Sequence, residues 1–282
     1  MRPQRAIAVF AFSALAVTAC DPIVHLGGVF GGASGSSGVG GRAGNAGGGS
    51  GAGGGSGGTG ASGVLWRATF EPGDLSEWNG DGNGGVFVAN ITTRPSVTTD
   101  FAHTGQYAGK ADIKPSNMAS LQYFFRDAPS PSEGYYSAWF YIPGTFTVKG
   151  DWLSLLHFQD FDGKNAIPTW DVNLNPQADG SLTAQLYNYV TVKPTFQAQP
   201  VPVPIGKWVH FEVLMKKAKG PTGGMAVWQD GTAILKVDDV ATIQSDLTEW
   251  MVGGASDGIS PGQGSVYVDD AAISLTRLGP GG

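Results

Sequence analysis

The chain is poor in cysteine and histidine and has no long hydrophobic run, and each shortage excludes a class of protein. Cys20 is the only cysteine among 282 residues, so no internal disulfide can stabilise the fold. The four histidines show no spacing typical of a transition-metal site. The apolar stretch at residues 6–17 is too short to span a bilayer comfortably. Phosphate-binding loops and nucleophile elbows are also missing from the sequence.

Positive charge is scarce as well. Residues 64–282 carry 14 Lys and Arg against 22 Asp and Glu, which gives a net charge of −8. A general nucleic-acid binder is normally basic, so we expect no nucleic-acid partner. This balance still allows one local basic site for an anionic sugar.

Residues 1–19 have the pattern of a bacterial lipoprotein signal peptide. Arg2 and Arg5 precede a short apolar core. The segment then ends in VTAC at residues 17–20, which resembles a lipobox and implies cleavage before a lipidated Cys20. We therefore expect an extracytoplasmic protein of the bacterial cell envelope that meets a membrane through its lipid anchor alone.

Residues 20–63 are predicted to be the anchor followed by a disordered tether. Between Gly27 and Gly63, 20 of 37 residues are glycine, and Arg42 is the only charged residue. Such a segment cannot bury enough apolar surface to offset the entropy lost on ordering. The sequence therefore predicts a single folded domain at 64–278, which we expect to be monomeric.

Short runs rich in Val, Phe, Tyr, Trp and Thr alternate with Gly, Pro, Asn and Asp throughout this domain. Their spacing, without a long helical period, predicts an all-β antiparallel sandwich of the jelly-roll type. Asp230-Gly231 marks the clearest hairpin turn, and helix is expected only as a weak turn within 240–248. The predicted strands lie near residues 65–70, 86–90, 107–113, 120–126, 135–143, 152–160, 169–175, 181–190, 207–217, 224–229, 232–237, 248–253 and 265–276.

A histidine and a glutamine lie two residues apart in the apolar run LLHFQDF, residues 155–161. Because side chains alternate along a strand, His157 and Gln159 should share one face, with Leu156 and Phe158 directed into the core. If neighbouring strands pair in sequence order, one groove floor would combine this pair with Arg126, Asn173, Gln185, Tyr187 and Tyr189. The alternative is an ordinary solvated face of a sandwich.

Several motifs follow one another in an order that resembles the concanavalin A-like jelly rolls, a group of lectins, glucanases, laminin G-like modules and polysaccharide lyases. These motifs are FEPGDLSEW, HTGQYAGKADI, YYSAWFYIPG, GKWVHFEVLMKK with GGMAVWQDG, and VYVDDAAISL. The middle of the chain is most similar to lyases of the heparin or glucuronan type, through WLSLLHFQDF, PTWDVNLN and LTAQLYNYV. The paired acids of a glucanase strand are missing from the sequence.

The lyase resemblance implies cleavage of an acidic glycan by β-elimination. That reaction removes the C5 proton of a uronate, so it needs a base, an acid and groups that neutralise the carboxylate. The implied catalytic residues are His157, Tyr187, Gln159 and Arg126, and the implied substrate-binding residues are Asn173, Gln185 and Tyr189. The family order is usually Gln-x-His, whereas this strand has His-x-Gln, which moves each side chain about 7 Å along the strand. A non-catalytic carbohydrate-binding module of the laminin G type is the alternative.

The resemblance also implies a structural calcium ion between the first and last strands. Glu71, with Asp269 or Asp270, would supply carboxylates, and the region of Gly105 would supply carbonyl oxygens. The alternative is that the two aspartates only cap a strand.

Overall fold

The computed structural model describes residues 63–162 and 165–282, which all belong to one compact unit. The signal peptide, Cys20 and the tether up to residue 62 fall outside the described residues, whereas Gly63 is described and accepts the backbone N–H of Leu275. No helix in the described part of the chain is long and apolar enough to cross a membrane.

Within residues 63–162 and 165–282, seventeen strands account for nearly all of the regular structure. In chain order they are β1 (Val64–Ala68), β2 (Gly84–Ala89), β3 (Ser96–Thr98), β4 (Ala108–Ile113), β5 (Ser120–Arg126), β6 (Glu133–Tyr141), β7 (Thr147–Val148), β8 (Leu153–Phe161), β9 (Ala166–Pro176), β10 (Leu182–Asn188), β11 (Lys193–Phe196), β12 (Trp208–Lys216), β13 (Gly223–Gln229), β14 (Thr232–Val240), β15 (Leu247–Ser256), β16 (Ile259–Ser260) and β17 (Gly264–Ser274). One helical turn, α1 (Ser76–Asn79), and a 3-10 turn at Gly279–Gly281 complete the set.

The strands form two large antiparallel sheets. The first sheet has the order β14-β13-β12-β6-β17-β4-β3, with β1 also paired to β17. The second sheet has the order β11-β10-β9-β8-β15-β5-β2, and β16 and β7 form a separate small pair. The predicted all-β antiparallel sandwich is therefore confirmed.

A continuous hydrophobic core lies between the two sheets, as the alternation of apolar residues requires. In β12, Val209, Phe211, Val213 and Met215 are completely buried, which confirms the face assigned to them. Four tryptophans also belong to this region, and the ring centroids of Trp66 and Trp78 lie 4.8 Å apart.

The turn at Asp230-Gly231 has positive φ angles at both positions, 47° and 81°, as a type I′ hairpin requires. The helical turn predicted within 240–248 is wrong. In its place the buried Asp160 carboxylate accepts the backbone N–H groups of Gln244 and Ser245, and this fixes a non-helical connection between β14 and β15. The short strands β3, β7, β11 and β16 were missed because two to four residues carry too little alternation to identify.

Candidate active site

Three adjacent strands of the second sheet bring an acid, a histidine and a tyrosine into one cross-strand row. His157 in β8 lies opposite Asp171 in β9, and Asp171 lies opposite Tyr187 in β10. Leu156 and Phe158 point the other way and are completely buried in the core, as the alternation predicts. The row therefore lies on the face of the second sheet turned away from the core, and we call this face the groove face.

Asp171 joins His157 to a second tyrosine. Nδ1 of His157 donates to one carboxylate oxygen of Asp171 at 2.5 Å, and the hydroxyl of Tyr189 donates to the other at 2.8 Å. Tyr189 follows the end of β10, and its backbone N–H donates to the carbonyl of Thr169. Only 7% of His157 and 2% of Asp171 is exposed, so both hydrogen bonds are shielded from bulk water. Charge-assisted bonds of this kind are stronger than neutral ones.

Aromatic rings enclose the histidine. Tyr123 from β5 stacks on the His157 ring with a centroid distance of 5.8 Å, and Tyr189 meets it edge-on at 6.0 Å. Tyr187 in turn contacts Tyr189 edge-on at 4.9 Å. This enclosure removes water from the imidazole and strengthens its electrostatic coupling to Asp171.

The surroundings set the protonation of these groups. Burial lowers the pKa of His157, but the charge and hydrogen bond of Asp171, with smaller contributions from Gln159 and Glu249, raise that pKa above 6.5 overall. Burial, followed by the charge of Asp171, raises the pKa of both Tyr187 and Tyr189. Both tyrosines therefore keep their protons at neutral pH and can act as proton donors.

Gln159 lies on the groove face beside His157, as predicted. Its Oε1 is 3.4 Å from Nε2 of His157, and its Nε2 donates to the carboxylate of Glu249 in the adjacent strand β15. Nε2 of His157 therefore faces an oriented amide carbonyl.

A second polar row crosses the same face, parallel to the first. Ser154, Asn173 and Gln185 occupy facing positions on β8, β9 and β10. In the described structure, Oγ of Ser154, Oδ1 of Asn173 and Oε1 of Gln185 are buried without a hydrogen-bond partner. Buried polar atoms are normally paired, so this row has hydrogen-bonding capacity left for a ligand. Phe196, at the edge of the row, is 57% exposed and offers a ring for stacking.

Residues 70–271 match the family described as "Polysaccharide lyase", which covers well over half of the chain. The chain belongs to the polysaccharide lyase family. The lyase function expected from the sequence is therefore confirmed at the level of the family. No similar sequence was found among curated proteins.

Solved structures of similar fold include two lyases. An endo-β-1,4-glucuronan lyase from the fungus Trichoderma reesei is 16% identical, with a TM-score of 0.57 over 76% of this chain and 96% of that chain. The alginate lyase Aly36B is 13% identical, with a TM-score of 0.55 over 76% and 97%. The cellulose-induced protein Cip1 is 16% identical, with a TM-score of 0.54 over 76% and 99%. At these identities the likeness establishes the shared β-sandwich fold.

Arg126 does not lie on the groove face, and its predicted place there is wrong. It lies on the opposite face of β5, where its guanidinium binds the Asp81 carboxylate at 2.7 and 2.8 Å and donates to the carbonyls of Trp78 and Ala128. Only 2% of the residue is exposed. The side chain therefore ties β5 to the loop after α1 and is not available to a substrate.

Asp171 and Glu249 are the site residues that the sequence analysis missed. Asp171 belongs to the alternating run TWDVNLN, so its polar face was visible, but its pairing with His157 depends on strand register. Glu249 lies 90 residues from Gln159 in the sequence and meets it only because β15 inserts between β5 and β8. Local motifs give no indication of such a contact.

The carboxylates proposed for calcium converge on the loop His103–Tyr107. Glu71 accepts the backbone N–H groups of Gln106 and Tyr107, and Asp269 accepts those of His103 and Thr104. Asp270 contacts the side chains of His103 and Thr104. Each carboxylate thus already has protein donors. Burial, followed by the charge of Asp270, raises the pKa of Asp269 to about 7.

Among the described residues, no cluster of three or more His, Cys, Asp or Glu side chains is arranged to hold a metal ion. The loop His103–Tyr107 nonetheless packs closely against the Glu71 carboxylate. Gly105 has a φ of +65°, and a Cβ there would lie 2.1 Å from the Glu71 carboxyl carbon. The calcium site stays a prediction, and no step of the chemistry below depends on it.

Proposed function

We propose that the protein cleaves a uronate-containing polysaccharide by β-elimination on the groove face. The observation that carries this proposal is the buried pair of His157 and Asp171, to which the partly exposed Tyr189 is hydrogen-bonded and beside which the partly exposed Tyr187 lies. An ordinary solvated sheet face gives no structural reason for a buried pair such as Asp171 and His157 with tyrosines beside it. Membership of the polysaccharide lyase family supports the same reaction class.

In the proposed reaction, neutral His157 is the base. Asp171 holds the proton on Nδ1, so Nε2 has a free lone pair that takes the C5 proton of the uronate. The electrons of the C5–H bond form the C4–C5 double bond as the bond from C4 to the glycosidic oxygen breaks. The proton that His157 gains is stabilised by the adjacent Asp171 charge.

Tyr187 is the proposed acid. Like an ordinary tyrosine, whose pKa is about 10, it carries a proton at neutral pH, and it lies in the same cross-strand row as the base. It gives this proton to the departing glycosidic oxygen, and the two residues return to their starting states by exchange with solvent. Tyr189 is proposed to hold Asp171 in place and to border the sugar-binding surface.

The substrate carboxylate is proposed to bind against Asn173 and Gln185. The NH₂ group of either amide can donate to the carboxylate, and the amide oxygens of both side chains are buried without a partner in the described structure. Phe196 and Tyr187 provide exposed or partly exposed rings against which sugar rings can stack.

The test is to incubate the purified protein with a panel of uronate polymers and to follow the ultraviolet absorbance of the new double bond conjugated to the carboxylate. A lyase gives a steady rise, which His157→Ala abolishes and Tyr187→Phe strongly reduces. Glycan binding without any rise across the panel would overturn the proposal and favour the carbohydrate-binding module.

We also propose that the enzyme is monomeric and is tethered to the bacterial cell envelope through a lipid on Cys20. The sequence pattern at residues 17–20 supports the anchor. The wild-type protein should partition into the membrane fraction, and Cys20→Ser should release it or block its processing. A soluble wild-type protein that retains residues 1–19 would contradict the anchor, and a dimeric mass in light scattering would contradict the monomer.

A further inference from the structure

Glu249 is a carboxylate that hydrogen-bonds Gln159, the side chain next to His157 on the groove face. It lies in β15 directly opposite Gln159 in β8, and its carboxylate accepts a short hydrogen bond from the Gln159 amide nitrogen. Since an ionised carboxylate can only accept, this bond fixes which way round the amide lies. The Gln159 carbonyl is thereby directed at Nε2 of His157.

We propose that Glu249 is a positioning residue of the lyase reaction, which holds the Gln159 carbonyl where it accepts a hydrogen bond from Nε2 of His157 after His157 has taken the proton from the substrate. This inference rests on the proposed function above. At 3.4 Å, the contact between Nε2 and Oε1 is longer than an ordinary N–H···O bond of about 2.9 Å. A protonated Nε2 would shorten the contact into a full hydrogen bond and so stabilise the imidazolium.

Acceptors then face both nitrogens of the ring. Asp171 accepts from Nδ1, and Gln159 accepts from Nε2 once the proton has moved there. An imidazolium held between two acceptors is more stable, so neutral His157 becomes a stronger base. Glu249 contributes twice, because it orients the amide and because its own charge raises the pKa of His157.

The charged and titratable groups that face Glu249 are Asp127, from the segment after β5, and His157, from β8. Burial, together with the neighbouring Asp127 carboxyl, raises the pKa of Glu249, while the hydrogen bond from Gln159 lowers it. In either protonation state Glu249 keeps one oxygen that can accept from Gln159. That oxygen can still orient the amide after protonation, but the new O–H can also donate to the Gln159 carbonyl, so only the ionised form fixes the amide and adds its charge to the field at His157.

Two substitutions separate these effects. Glu249→Gln retains an acceptor for Gln159 but removes the charge, and Glu249→Ala removes both. Asp246→Asn is the matched control, because Asp246 precedes the same strand but forms an exposed ion pair with Lys219 on the surface. Each variant is assayed for kcat/KM as a function of pH, and the His157 imidazole is titrated by NMR in the protein without substrate.

We expect Glu249→Gln to retain most of kcat, with the acid limb of the kcat/KM profile moved to lower pH. Glu249→Ala should lose roughly 10- to 100-fold in kcat, because the Gln159 carbonyl is no longer held in place. The His157 titration should move to lower pH in both variants and stay unchanged in Asp246→Asn.

An unmoved His157 titration in Glu249→Gln would overturn the inference, as would equal losses of kcat in the two variants. If Glu249→Ala fails to fold, the Glu249→Gln titration alone decides. The NMR titration needs no turnover, so it still tests Glu249 if the protein proves to be a glycan-binding module. The proposed function and this inference can therefore fail separately.

Discussion

Replacing Asp171 by asparagine tests the core of the proposed chemistry. The amide has the shape of the carboxylate but lacks its charge, and its NH₂ group would donate to Nδ1 of His157. The imidazole would then carry its proton on Nε2, the nitrogen that has to accept the C5 proton. We expect Asp171→Asn to fold and to bind glycan, but to be a poor catalyst.

The size of the loss follows from the bonds that Asp171 makes. The bond from His157 is charge-assisted, 2.5 Å long and almost fully buried, and such a bond contributes about 1.5–3 kcal/mol. If it strengthens fully as the imidazolium forms, its loss lowers kcat/KM by roughly 10- to 150-fold, and the wrong tautomer adds to this. Asp171→Asn should also lower the pKa of His157, since the charge of Asp171 and its hydrogen bond are the main causes that raise this pKa.

The assay is the ultraviolet absorbance of the unsaturated uronate product, followed across pH. Asp160→Asn is the matched control, because Asp160 is a completely buried carboxylate of the same sheet that only holds the segment 244–248. It should lower the melting temperature and leave the His157 titration unchanged. An Asp171→Asn variant with wild-type kcat/KM would refute the assignment of His157 as a base oriented by Asp171.

Other predictions concern stability. Arg126→Met should lower the free energy of unfolding by about 2–4 kcal/mol, because it leaves buried carbonyls unpaired. It should change kcat/KM little, and a loss of activity without a loss of stability would show that Arg126 belongs to the active site. The stability that His157 confers relative to His157→Gln should be complete below pH 6.5 and disappear as pH rises through its raised folded pKa, as measured by denaturant unfolding. Chelation should lower the melting temperature if calcium binds near Glu71 and Asp269, and an unchanged temperature would remove that site.

The alternation and turn chemistry of the sequence were enough to establish the fold class. The run from Trp208 to Lys216 alternates so regularly that its buried face was assigned correctly. The dipeptide Asp230-Gly231 correctly predicted a hairpin turn, because few residue pairs tolerate positive φ at both positions. These features are local, and local features can be read from sequence because each depends on neighbours only a few residues away.

In β5, the alternation of residues does not decide which face of the strand enters the core. Both of its alternating sets contain an aromatic residue, Tyr123 in one and Phe124 in the other, so the pattern alone does not say which set enters the core. Both residues are buried, Phe124 in the core between the sheets and Tyr123 on the groove face. Arg126 follows Phe124 in the alternation and so lies away from the groove.

The sequence by itself determined that His157 and Gln159 share one face of a strand in a jelly roll. Tertiary structure decided which acids meet them. Two bulges, one between Ser154 and Leu156 and one between Phe158 and Gln159, shift the pairing of β8 with β9 by one residue in the segment between them, and only there does Asp171 lie opposite His157. A one-residue slip moves every side chain to the other face of a sheet, so without these bulges His157 would lie opposite the core residue Trp170.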